Sequence, residues 1–539
     1  MSSFPFVRRR FFLIMALLLA ALACNIPTPT PPAPGPTGAL TQTAPGELPA
    51  PTPSAAAAAT TAAPPPSPTA PAYRAEFEPA RCDFAVPQGY APECGYLSVP
   101  QDRARPEAGR VRLHVAVFRS RAADPAPDPL VYLSGGPGSS ALDSAAYLFS
   151  YGMGAALERR DLVLFDQRGT GRSQPRLDCP EARELEALLL AREIPVEEET
   201  RAAVEAFGRC RARLEAEGVD LAAYHSAASA ADLEDLRKTL GYPQLNLYAV
   251  SYGTRLALTL MRDFPHAVRS AVLDSAYPPQ VHLYTALAPN AQRAFDVFFG
   301  LCASDPGCSA AYPDLEAVFY NLVEALNASP LPVTFTAYGE EHRARLDGGL
   351  LVDVLFTGLY NPQVAAAMPA MIYALNRGET RRLQPRLALY LDSSSALGMN
   401  MAVQCNEETP FSPPQEAYTL ARDTHPALSA FFPDSVQPLF AVCQDWGLEA
   451  RAGENDPVTA ETPALVLAGE FDPITPPEWG RLAAAGLAQA AFFEFPAHGH
   501  WVTRSSECAL ALALAFWEAP TLPPDPTCTL TPDRLEFAR

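Results

Sequence analysis

The run Leu245-Asn246-Leu247-Tyr248-Ala249-Val250-Ser251-Tyr252-Gly253-Thr254 decides how the rest of this 539-residue chain is read. Six mostly apolar residues form a short strand, and the stretch from Arg255 to Arg262 that follows is helical in character. A strand that enters a helix directly through a serine needs a sharp turn, with small residues two positions to either side. Gly253 meets that need on one side and Ala249, with a single methyl, on the other. Outward from this unit lie other short apolar runs: Val111 to Phe118, Leu130 to Leu133, Leu162 to Phe165, Ala271 to Leu273, Ala464 to Ala468 and Phe492 to Phe495. Helical stretches separate them, which is the pattern of an α/β protein with a mostly parallel sheet covered by helices. In such sheets ligands bind outside the carboxyl ends of the strands.

Nearly 190 residues between Asp274 and Ala464 lack this strand-and-loop rhythm. They read as a mostly helical cap over residues 280–460, inserted before the last strands, with core segments at 80–279 and 461–539. The cap carries 20 acidic and 9 basic residues, so a negative mouth over a site would attract a cationic substrate group. The whole chain has a net charge of −20. That excludes nucleic acid as a partner, because phosphate binding depends on clustered cations. Only one lysine, Lys238, is present, and it lies in a charged helical stretch, which argues against lysine-based covalent catalysis.

Residues 1–24 combine Arg8, Arg9 and Arg10 with an apolar run too short to span a bilayer comfortably, and so read as an export signal. Its ending, Ala21-Leu22-Ala23-Cys24, resembles a bacterial lipoprotein signal, which implies acylation of Cys24 and a membrane-anchored, extracytoplasmic protein. Ordinary secretion is the alternative. Residues 25–72 hold fifteen prolines and one charged residue, Glu47, a composition that cannot bury a core and reads as a disordered tether. Setting Cys24 aside leaves ten of the eleven cysteines, an even number suited to five disulfides in an oxidising compartment. Pairing of sequence neighbours is the simplest arrangement. The cysteine spacings do not suit a metal site, and neither metal nor cofactor is expected.

A serine hydroxyl is a weak nucleophile and needs a base held by an acid. Ser251, in a turn that resembles the nucleophile elbow, is the candidate nucleophile. Asp472, in Gly469-Glu470-Phe471-Asp472-Pro473, and His500, in Ala497-His498-Gly499-His500, follow later strands in the order Ser, Asp, His. Asp274 is a rival acid and His498 a rival base. The turn Leu133-Ser134-Gly135-Gly136-Pro137-Gly138 supplies candidate oxyanion donors, the N–H groups of Gly135 or Gly136, to act with that of Tyr252.

Together these residues resemble the prolyl iminopeptidase and tripeptidyl aminopeptidase group of α/β-hydrolase serine peptidases. The likeness runs from about residue 80 to 530. It rests on Gly135 to Gly138, the loop Asp166-Gln167-Arg168-Gly169-Thr170-Gly171-Arg172-Ser173, the stretch Asp232 to Tyr242, the Ser251 turn, and the Asp472 and His500 loops. The group usually has histidine where Ser134 stands here. The loop from Asp166 to Ser173 is read as structural, with Arg168 pairing locally. The resemblance implies an α/β-hydrolase fold and cleavage of short peptides near a free N-terminus through an acyl-enzyme. In Gln404-Cys405-Asn406-Glu407-Glu408 it points to Glu407 first and Glu408 second as the acid that senses the amine. Two other readings stand beside this one: an esterase or amidase of small molecules using the same triad, and a non-catalytic binding lipoprotein. Oligomeric state is unknown from sequence.

Overall fold

The computed structural model describes residues 73–538 apart from 193, 393, 531 and 532. The export signal, the tether and Cys24 lie outside the described residues. The central element is a nine-stranded sheet. Its strands are β1 (Glu76–Pro79), β2 (Glu93–Pro100), β3 (Arg110–Phe118), β4 (Leu130–Leu133), β5 (Leu162–Phe165), β6 (Leu245–Val250), β7 (Val268–Asp274), β10 (Ala464–Gly469) and β11 (Ala490–Phe495). The spatial order is β1-β2-β3-β5-β4-β6-β7-β10-β11. From β5 through β11 every neighbouring pair is parallel, while β1, β2 and β3 pair antiparallel at one side.

Strands β4, β5, β6 and β10 are buried along their whole length. Both sheet faces must therefore be covered, as a parallel sheet requires. The two-residue alternation of β6 shows how. Leu245, Leu247 and Ala249 enter one hydrophobic cluster, and Tyr248 and Val250 enter the other on the opposite face.

The described residues between β7 and β10 add no strand to this sheet. They are mostly helical but also contain an antiparallel hairpin, β8 (Leu331–Ala337) with β9 (Glu340–Leu346). The charged run Glu340-Glu341-His342-Arg343 hides the strand character of β9, because only alternate residues are buried. Strands β1 and β2 were likewise outside the expected set. β1 is an edge strand with two glutamates and little burial, so it has no apolar run to betray it.

Five disulfides join sequence neighbours: Cys82–Cys94, Cys179–Cys210, Cys302–Cys308, Cys405–Cys443 and Cys508–Cys528. Cys405–Cys443 ties the helix Leu397–Glu407 to the helix Gln437–Trp446. Among the described residues, no helix is long and apolar enough to cross a membrane.

Candidate active site

Ser251 stands between β6 and the helix Tyr252–Asp263, with φ at 57° and ψ at −128°. A non-glycine residue in that region costs on the order of 1–3 kcal/mol and persists only where its surroundings enforce it. Here the enforcement is visible. Its amide donates to the Asp274 carbonyl at 3.1 Å. Its own carbonyl accepts from the amide and hydroxyl of Thr254, at 2.8 and 2.6 Å. Gly253 is obligatory, since a Cβ there would lie 2.1 Å from the Leu133 carbonyl oxygen.

The acid and base loops follow β10 and β11. His500 Nδ1 donates to Asp472 Oδ2 at 2.8 Å, with the imidazole 3% and the carboxylate 0% exposed. Asp472 Oδ1 accepts from the amides of Ile474 and Thr475, both at 2.9 Å, and the Thr475 hydroxyl donates to Oδ2 at 2.7 Å. Burial pushes this carboxyl up, but the charge and hydrogen bond of His500 and the Thr475 donors outweigh it and hold Asp472 below the usual carboxylate range. With Nδ1 donating to Asp472, Nε2 is the ring nitrogen able to take up a proton. The Ser251 hydroxyl makes no hydrogen bond of its own among the described residues.

Asp274 holds a different position. Its carboxylate accepts from the amides of Val502 and Thr503, both at 2.8 Å, and from the Thr503 hydroxyl at 2.6 Å. It therefore links the Ser251 turn, through its carbonyl, to the segment just after His500. His498 points elsewhere: its ring nitrogens face the carbonyls of Pro496 at 2.9 Å and Ser505 at 3.3 Å.

The glycine-rich turn passes directly beside the serine. A Cβ on Gly135 would sit 2.9 Å from Ser251 Cβ, so no larger residue fits. Gly136 has φ at +109°, a region open to glycine at little cost. Tyr252, first in its helix, has an amide with no intrahelical acceptor. The turn is braced from both sides. Gln167 Nε2 donates to the Ser134 carbonyl at 2.9 Å, Ala396 N donates to the Gly138 carbonyl at 2.9 Å, and Asn400 Nδ2 donates to the Pro137 carbonyl at 3.1 Å. Arg168 does not pair locally as expected. Its guanidinium forms a two-pronged pair with Asp232, at 2.8 and 2.7 Å, sixty-four residues away. The pair is fully buried, and chain distance hid it from a sequence reading.

Glu407 and Glu408, at the end of the helix Leu397–Glu407, are each 1% exposed. Glu407 accepts from the Ser226 amide, from the Ser226 hydroxyl at 2.8 Å and from Arg255 Nε at 3.1 Å. Glu408 accepts from the Leu283 amide and from the Tyr277 hydroxyl at 2.5 Å, and lies 3.5 Å from Arg255 Nη1. Burial raises the Glu408 carboxyl despite the opposing charge of Arg255. A third carboxylate, Glu454, is pushed up to about 7 by burial and by the charge of Glu407. Sequence reading missed Arg255 and Glu454. Arg255 could have been found, since it follows Ser251 by about one helical turn.

A strained serine at a strand-to-helix turn, a buried aspartate–histidine pair and a glycine turn, all past the carboxyl ends of parallel strands, define a serine hydrolase. The alpha/beta hydrolase fold family matches residues 128–503, and the chain belongs to that family. The serine protease Hip1 of Mycobacterium tuberculosis is 26% identical over 455 residues, covering 80% of this chain and 86% of that protein. The tripeptidyl aminopeptidase of Streptomyces coelicolor is 32% identical over 209 residues, 38% of each chain. The solved proline iminopeptidase of Mycobacterium smegmatis aligns over 79% of this chain and 98% of its own, with 14% identity and a TM-score of 0.38.

Proposed function

We propose that this protein is an exported serine exopeptidase that cleaves short peptides near a free N-terminus. Ser251 Oγ attacks the scissile carbonyl carbon while His500 Nε2 takes its proton, and Asp472 holds the imidazole in the tautomer that can do so. The oxygen that becomes negative meets the N–H groups of Gly135 or Gly136 and of Tyr252, each donor contributing ~3–4 kcal/mol. The amine product leaves with the proton from His500. Water then attacks the acyl-enzyme by the same route in reverse.

One observation carries the exopeptidase reading: two buried carboxylates, Glu407 and Glu408, share the single buried guanidinium of Arg255. Buried charge is costly unless it is paired, and with one guanidinium between two carboxylates, a substrate ammonium group is the partner that would let both be ionised. Glu407 is the first choice for that contact and Glu408 the second. The peptidase relatives support the same substrate class. Export is supported by the five disulfides, which persist in oxidising compartments. Acylation at Cys24 would then hold the enzyme at a membrane.

The test is a pair of chromogenic substrates, tripeptidyl and aminoacyl, each with a free or an N-acetylated terminus. Cleavage of the free forms alone supports the reading. Equal turnover of free and acetylated forms would remove the amine requirement, and much faster cleavage of an acyl ester would make the protein an esterase.

A further inference from the structure

Among the described residues, one side chain of the insertion between β7 and β10 hydrogen-bonds to the acid loop. Arg293 lies on the helix Leu287–Ser304. Its Nη1 donates to the Glu470 carbonyl and its Nη2 to the Asp472 carbonyl, both at 2.6 Å. Among the described residues these two carbonyls accept no other hydrogen bond. The other side of the same loop is bonded to the core: Glu470 N donates to the Phe495 carbonyl and Phe471 N to the His498 carbonyl, each at 3.0 Å. The loop carrying Asp472 is thus held between the sheet and the insertion, and on the insertion side the guanidinium fork is the anchor.

We infer that Arg293 is a positioning residue for catalysis: its two-pronged grip on the carbonyls of Glu470 and Asp472 sets the loop at which the Asp472 carboxylate meets His500. A planar guanidinium suits this task, because it fixes two acceptors in one geometry, whereas an ammonium fixes one at a time. The Asp472 carboxylate is oriented within its loop by Ile474 and Thr475, so Arg293 acts on where the loop sits and not on how the carboxylate turns. The consequence is that the insertion is part of the catalytic framework. The same logic extends to the glycine turn, which the insertion braces through Ala396 and Asn400.

The inference rests on Asp472 and His500 acting as acid and base, so its test needs a readout that does not depend on turnover. In the full chain, Arg293→Gln and Arg293→Lys are compared with Glu478→Gln, which alters a carboxylate 3.7 Å from Arg293 Nε and leaves both carbonyl contacts in place. Two quantities are measured: the split between kcat and KM on a free-terminus peptide, and the downfield proton resonance of the His500 Nδ1–H···Asp472 bond. Arg293→Gln is expected to lower kcat by ~10- to 100-fold, the scale of a small misplacement of a catalytic group, with KM within about two-fold and the resonance broadened or lost. Arg293→Lys should fall between, and Glu478→Gln should match the parent. The inference is overturned if Arg293→Gln keeps both full kcat and a sharp resonance, if its defect lies in KM alone, or if kcat falls while the resonance is unchanged. Failure of the Asp472–His500 reading itself would show instead as full activity in Asp472→Asn, which separates failure of the triad from failure of this inference.

Discussion

The ends of β7 and β10 each present a fully buried aspartate near the same histidine loop, yet their oxygens are used in opposite ways. Asp274 directs its carboxylate at two amides and a hydroxyl beyond His500. Asp472 directs one oxygen at its own loop and the other at the imidazole. Burial raises the Asp274 carboxyl more than its Thr503 and Val502 donors lower it, whereas at Asp472 the imidazole tips the balance downward. Position at a strand end makes an acid available. What its lone pairs already meet decides whether it supports chemistry or architecture.

Four substitutions bear on this contrast. The largest effect belongs to Ser251→Ala, which both strand ends serve: kcat should fall by up to ~10⁶ while the protein stays folded, as followed by steady-state kinetics and circular dichroism. Asp472→Asn should cost ~10⁴ in kcat by favouring the wrong imidazole tautomer. Asp274→Asn should cost far less activity, ~10-fold, because the loop after His500 shifts. Its main effect should be on stability, a loss of ~1–3 kcal/mol in urea melts, since the amide NH₂ would face the donors of Thr503. Equal activity losses in the two asparagine variants would erase the distinction.

A smaller effect extends the comparison to a third buried aspartate. Among the described residues, the Asp353 carboxylate has one hydrogen-bond donor, the Tyr390 hydroxyl at 2.6 Å, and burial pushes it up to about 8. The folded protein therefore holds a proton that the unfolded chain has released above the ordinary aspartate range. Stability attributable to this group is full at low pH and declines as pH rises toward about 8. Asp353→Asn should flatten that decline, seen as a smaller drop in Tm between pH 5 and pH 8 than in the parent. An unchanged slope would mean that Asp353 is charged in the fold.

Much of this framework is legible in the sequence. The central strands announce themselves because both of their faces are buried, which leaves unbroken apolar runs such as Leu245 to Val250 and Ala464 to Ala468. Ser251, Asp472 and His500 stand out because strand ends in such sheets carry ligand chemistry. The less legible parts are those built by long-range pairing. The Arg168–Asp232 pair, the sharing of Arg255 between Glu407 and Glu408, and the reach of Arg293 to the acid loop join residues whose chain separation gives no clue to contact. The hairpin β8–β9 and the edge strand β1 were hidden for another reason. With only one face covered or neither, β9 and β1 carry charge, and β8 carries proline and threonine, where a core strand carries leucine and valine.

The central claim is that Ser251 is activated by His500 through Asp472, and covalent labelling tests it without reference to substrate choice. A fluorophosphonate probe followed by peptide mapping should place a single adduct on Ser251. Labelling should be absent in Ser251→Ala and strongly slowed in Asp472→Asn but not in Asp274→Asn. An adduct on another residue, or labelling of Asp472→Asn at the parent rate, would contradict the account.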